Sequence, residues 1–435
     1  MHRASDSSTL SAVGSILFAA LLLTACAPGR EAERVLRVWD FKYGEAAMGG
    51  AMRAIDREFE RAHPGVTVEH RALSDVDDDA VLAAAIAANA APDVAMVHAG
   101  AEIRALEGRL FPVEQAVRGL ELLPAALDAC RDGRGVLVAV PLTTQGFGWY
   151  YNKELFAAAG LDPEKPPRAW DSFLAACASL RAAGIRPIAW GNNPPHGSDW
   201  LRRSLAATFY GKDALPHLFE SPAFASDPRF VRIAGMIRRL RDLEYLDTPG
   251  AFRDQLRDAP ALFRSGEAAL YLGLFSDIDN WKDFSDALGP EKVGFFGSVD
   301  HPEAPYPGRA AVQGAGIAYA VLASSPHREL AAAYAAAYLD KTSAALLTEQ
   351  VGALLPLASR AYPTGAYPAL AEVLAARDGG SDDIEIHYPT LEIKRALMRY
   401  DELHFGTREI SMETYLSSLG TAVKAALEAA ARAAQ

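Results

Sequence analysis

Val136-Leu137-Val138-Ala139-Val140-Pro141-Leu142-Thr143-Thr144-Gln145-Gly146-Phe147-Gly148-Trp149-Tyr150-Tyr151-Asn152 is the stretch that decides the fold. Val136 to Val140 has the apolar, β-branched make-up of a strand, and Pro141 ends it because proline cannot donate to a ladder. Phe147 to Tyr151 is a second apolar stretch, rich in aromatics. Between them lies the short segment Leu142 to Gly146, which reads as a crossover between two lobes. Alternation along the second stretch sends Tyr150 and Tyr151 to opposite faces. Asn152 is a residue type that caps a following helix.

Upstream, the chain alternates strand and helix. Val35 to Trp39 reads as a buried strand, followed by a glycine-containing loop from Asp40 to Gly50. Met52, Ile55 and Phe59 then recur at helical spacing, and His63-Pro64-Gly65 stops that helix. Val66 to His70 is the next strand, Ala80 to Ala90 an alanine-rich helix, and Asp93 to Val97 a third strand after Pro92. Such βαβαβ alternation predicts a parallel sheet covered by helices. Downstream, a helix capped by Asp171 leads into the strand Ile185–Trp190 and the irregular loop Gly191–Gly197. Strands follow at Ala268–Leu272 and Lys292–Phe296, then a stretch of small and apolar residues from Ala310 to Ala323. The rest reads as largely helical, ending in the alanine-rich run from Thr421.

The N-terminal residues point to export. Ala12 to Leu23 is apolar apart from Gly14 and Ser15, too short for a permanent span but suited to a signal peptide. It ends in Leu23-Thr24-Ala25-Cys26, which resembles a bacterial lipobox. The expectation is a signal peptide over 1–25, a diacylglycerol on Cys26, and a tether over 26–33. No later stretch is apolar enough to span a membrane, so the only membrane contact expected is through lipid on Cys26. A chain of 435 residues is too long for one core. Its net charge of -12, without a basic cluster, argues against nucleic acid as a partner. Cys130 and Cys177 do not make a disulfide framework, although a bridge between them is open. Cys177 falls on one helical face with Phe173, Leu174 and Leu180, as a small buried hydrophobe would.

Five segments, taken in order, resemble the extracellular solute-binding family that includes maltose-binding protein and many oligosaccharide binders. They are Phe59–Val68, Ala91–Met96, Pro141–Leu142 with Trp149–Phe156 through Phe173, Phe263–Leu270, and Gly314–Ala318 with Glu329–Ala332 and Leu355–Pro356. The resemblance implies an α/β, two-lobed periplasmic-binding-protein-like fold. Each lobe would have a parallel-sheet core, with a hinge of crossover strands and a ligand cleft between the lobes. By that analogy lobe one is 34–143 plus 312–350, and lobe two is 144–311 plus 351–435. The implied role is that of a monomeric, extracytoplasmic lipoprotein that captures a carbohydrate by closure and delivers it to the permease of an ABC importer. A polyol, glycerol phosphate or polyamine is the alternative ligand class.

Open α/β sheets bind ligands beyond the carboxyl ends of their strands. A sugar needs planar polar groups for its hydroxyls and aromatic faces for its rings. The strand-end loops offer Asp40 and Tyr43, then His98, then Gln145 after the crossover proline, where sugar binders of the family often present a carboxylate. They also offer Trp190, Asn192, Asn193 and Trp200 in one segment, and Phe275 and Asp277 where relatives often carry a stacking tryptophan. No zinc-binding, nucleophile-elbow, Cys-x-x-Cys or P-loop motif is present, so no cofactor, metal or catalytic residue is expected. An exported carbohydrate-active enzyme is the remote alternative. It would need two carboxyl groups at a set separation in space.

Overall fold

A computed structural model of the chain describes residues 34–74, 78–193, 195–246, 258–276 and 278–433. The expected signal peptide, Cys26 and the tether lie outside these residues. The strands are β1 (Arg34–Asp40), β2 (Val66–Ala72), β3 (Val94–His98), β4 (Ala139–Pro141), β5 (Gln145–Asn152), β6 (Arg186–Ala189), β7 (Ala268–Leu274), β8 (Val293–Phe296), β9 (Ala311–Gln313), β10 (Ile317–Val321) and β11 (Ser381–Asp382).

They form two sheets, one at the heart of each lobe. The first has the order β2-β1-β3-β10-β4. Its βαβαβ part is parallel as expected, and β10 closes it by running antiparallel to both β3 and β4. The second has the order β11-β9-β5-β7-β6, with β8 also on β5. Here β5 runs antiparallel to β7, β8 and β9, and only the β6–β7 and β9–β11 pairs are parallel. The second sheet is thus more mixed than helix–strand alternation suggests.

The alternation along β5 explains how it sits. Phe147, Trp149 and Tyr151 enter one core, with Phe173, Leu205 and Tyr388. Tyr150 enters another on the opposite face, with Phe275, Phe284 and Phe295. Both tyrosines are therefore buried, because helices cover both faces. On Tyr150's face the intervening positions are Gly146 and Gly148. A Cβ at Gly146 would meet the Phe275 ring at 2.0 Å, and one at Gly148 would meet the Phe295 ring at 2.0 Å. Asn152 caps the next helix as expected, accepting from the amides of Glu154 and Leu155.

Some local expectations fail for identifiable reasons. The loop after β1 is shorter than expected, because the helix Ala46–Ala62 starts early and takes in Gly49. A Cβ there would lie 2.0 Å from the Tyr43 carbonyl oxygen, so only glycine fits. Asp171 does not cap its helix: Ala169 stands at the cap, and Asp171 lies in the first turn. Cys130 and Cys177 are both free and buried, the first in the core of the first sheet and the second in that of the other.

The chain passes between the lobes three times. Beside β4–β5, the Leu142 amide donates to the Ile317 carbonyl at 2.9 Å and the Gly316 amide to Thr143 at 2.9 Å. Beside these runs a third passage, where the Thr144 amide donates to the Leu354 carbonyl at 2.7 Å and the Leu354 amide to Ser276 at 3.0 Å. Gly314 lies against backbone here, and a Cβ would sit 2.0 Å from the Ala125 carbonyl oxygen. Gly314→Ala is expected to lower stability by ~1–3 kcal/mol, the range for overpacking. A fall in the urea midpoint at unchanged m-value checks it; an unchanged midpoint would show that the passage yields freely.

Candidate functional site

The candidate site lies where β3, β5 and the passages meet. His98 ends β3, and its ring stacks on Phe41 at 4.9 Å. Its backbone amide donates to Glu102 Oε2 at 2.8 Å, and Nδ1 lies 3.2 Å from Oε1. Burial alone would raise the Glu102 carboxyl, but His98 and then Lys394 hold its pKa down at about 2. Gln145 opens β5 opposite Gln313. Its side chain lies over Gly316, whose carbonyl accepts from the amide of Ala99, next to His98. The structure therefore brings His98 and Gln145 to one seam.

Two residues along β5 from Gln145, on the same face, Phe147 carries Trp200 at 5.5 Å and the Arg203 guanidinium at 4.5 Å. Both come from the helix His196–Ala214, which is buried along most of its length. Trp200 keeps part of its surface exposed. Arg203 donates to Asp383 at 2.6 and 2.8 Å and to Asp199 at 3.2 Å. Arg202 bonds Asp199 and Asp401, and the Tyr415 hydroxyl also donates to Asp401 at 2.7 Å. Burial lifts the Asp401 carboxyl to about 6 against the pull of Arg202.

The remaining expected residues divide. Asp40 is fully buried and committed: its Oδ1 accepts from the amides of Lys42 and Tyr43, and Oδ2 bonds His70. These contacts build the loop. Tyr43 is half-buried, with its ring stacked on His70 at 3.9 Å. Trp190 is a core residue at 4 % exposure, packed where Gly197 leaves room. Asn192 is buried too. Its Oδ1 accepts from the Ser198 amide at 2.7 Å, while its Nδ2 has no hydrogen-bond partner among the described residues. Asn193 is exposed. Trp200 sits on a helix and not in the loop. Phe275 is wholly buried, since it fills the hole left by Gly146, and offers no stacking face. Asp277 lies outside the described residues.

Sequence reasoning missed Glu102, Arg104, Arg203 and the segment 383–394. Glu102 had a signal in its spacing, four residues after His98. The others become visible only when the two lobes are assembled.

The family model for the bacterial extracellular solute-binding protein matches residues 44–345, well over half of the chain. The chain belongs to that family. Among curated proteins it is 24 % identical over 177 residues to the sn-glycerol-3-phosphate-binding periplasmic protein of Brucella abortus (strain 2308), covering 38 % of this chain and 40 % of that protein. The chain thus matches well under half the length of that relative. Among solved structures, one from work on xylan utilization by Caldanaerobius polysaccharolyticus superposes with a TM-score of 0.76 at 19 % identity, over 89 % of this chain and 99 % of that one. Maltose-bound MalE3 of T. maritima gives 0.74 at 18 % identity, over 90 % and 99 %. Both share the two-lobed fold.

Asp40 leads to a testable pH dependence. His70 lies between Asp40 and Asp56, 3.0 Å from the Tyr334 hydroxyl. Burial pulls its pKa down, but the two carboxylates outweigh burial and raise it from 6.5 to about 9. A pKa raised on folding gives stability that is fully present below about 6.5 and is lost as pH rises through about 9. The linkage is worth up to about 3 kcal/mol. In urea unfolding from pH 6 to 9.5, His70→Gln should remove a downward slope that the parent protein shows; identical slopes would mean that His70 does not titrate there.

Proposed function

We propose that this protein is the capture component of an ABC importer and that its ligand is a neutral carbohydrate, held in the cleft between the two lobes. The observation that carries this reading is the pairing of a partly exposed aromatic face with planar amides in a region whose charges are already matched. Trp200 stands over Phe147, two residues from Gln145 on the same face of β5. Arg202, Arg203 and Lys394 each rest on a carboxylate. A ring stacked on Trp200 would contribute ~0.5–1.5 kcal/mol, by analogy with aromatic pairs. Gln145 suits hydroxyl groups, as does the buried Nδ2 of Asn192, which has no partner among the described residues. The solved relative with maltose bound supports the same ligand class.

In this reading residues 34–143 and 312–350 form one lobe, and 144–311 and 351–435 the other. Ligand touching both would favour the closed form, which the permease accepts. Export and anchoring through Cys26 belong to the same proposal and rest on Leu23–Cys26. We assign no catalytic step.

The partial match to glycerol-phosphate binders keeps one rival, which requires a cation free to meet phosphate. Thermal unfolding with maltose, xylooligosaccharides and sn-glycerol 3-phosphate separates the two. Ligand at a hundred times its Kd stabilises by ~2.7 kcal/mol. A shift with sugars alone supports the proposal, and a shift with the phosphate alone overturns its ligand class. Trp200→Ala should weaken sugar binding by roughly 2- to 12-fold at an unchanged unfolding midpoint. Loss of both together would place Trp200 in the core instead.

A further inference from the structure

The lobes are also joined away from the three chain passages. The helix Ala101–Ala105 follows β3, and Ala101 is buried in the core of the second lobe. The next polar side chains of that helix reach the same neighbour. Arg104 Nη2 donates to the carbonyl oxygens of Ile386 at 2.8 Å and Tyr388 at 3.0 Å. Lys394 Nζ lies 3.6 Å from Glu102 Oε1, the carboxylate that also holds His98. Arg395 pairs with Asp79 on the helix Asp78–Ala87 of the first lobe. Gly100 meets Ile386 so closely that a Cβ would lie 2.8 Å from the Ile386 Cα.

The other side of this segment is tied to the second lobe. Tyr388 packs on Phe219 at 5.3 Å, and Ile393 and Leu397 are in that lobe's core. Asp383, just before the segment, is held by Arg203. Residues 386–395 thus meet the first lobe with the Ile386 side chain, main-chain acceptors and cations, while Tyr388 and Ile393 anchor them in the core of the second.

We propose that Ile386–Arg395 is a strap whose hold on Arg104 and Glu102 keeps the lobes together with protein groups alone, so that the chain is biased toward closure before ligand arrives. The proposal rests on the reading of the molecule as a closing receptor. Arg104 is its positioning residue. Burial lowers its pKa from the usual arginine value, yet the guanidinium stays charged, and it donates to two main-chain carbonyls. Apparent affinity scales with the fraction of chain already in the binding form, so the strap would set affinity without touching ligand.

Small-angle scattering of the ligand-free protein tests this without knowledge of the ligand. Arg104→Ala should increase the radius of gyration over the parent protein, and Arg104→Lys, which keeps one donor group, should fall between them. Lys394→Ala, at a partly exposed position, should shift the radius in the same direction and guards against a folding defect at Arg104. Where maltose binds, Arg104→Ala should weaken it by roughly tenfold, as expected for loss of a charged donor's bonds. Equal radii for all four proteins would overturn the strap. A shift in radius together with failure of every sugar to bind would leave the strap standing and sink the carbohydrate reading alone.

Discussion

The structure depends on how closely three backbones approach one another between the lobes. Leu142 to Thr144 bonds to Gly316 and Ile317 on one side and to Leu354 on the other. Backbone groups buried at a seam must find partners, and here each passage serves the next. This leaves no space for side chains at Gly314 and Gly316, where a Cβ would strike Ala125 backbone or the Gln145 side chain. It also sets the start of β5. Gln145 faces Gln313 in register, and every later residue of β5 is assigned to a face by that start. The positions of Phe147, and through it of Trp200 and Arg203, follow from the seam.

The fold was legible because its signals are local. Apolar runs, their periods and the proline at the crossover each lie within a few residues, and they were enough for the α/β class, while the two-lobed arrangement came from the family resemblance. The mixed direction of the second sheet was not legible. Whether β5 runs with or against β7 depends on pairing across more than a hundred residues. The site was legible in part. Gln145 is marked by the resemblance, as the residue that follows the crossover proline, and the structure places it at the seam beside Gly316. Phe275 could not be sorted into core or cleft, because its place depends on a glycine far away in sequence, Gly146, whose missing side chain leaves room for the ring. Asp40 looked like a free loop carboxylate, but its partner His70 is on the neighbouring strand. Contacts such as Arg104 to main-chain carbonyls carry no sequence signature, since any residue can supply the carbonyl.

Three buried cations are each held by two carboxylates. Removing one member of a buried pair leaves an uncompensated charge, which costs several kcal/mol. Accordingly His70 sits between Asp40 and Asp56, Arg202 between Asp199 and Asp401, and Arg203 between Asp199 and Asp383. An acidic chain of net charge -12 can neutralise each of these cations with its own carboxylates and carry the excess elsewhere. A phosphate approaching Arg203 would have to displace a carboxylate and leave it unpaired in the same low-dielectric region. A hydroxyl-bearing neutral ligand would ask for nothing of the kind, needing only donors and acceptors beside an aromatic face. If the ligand sits beside these pairs, as proposed, their matched charges would also disfavour an anion there.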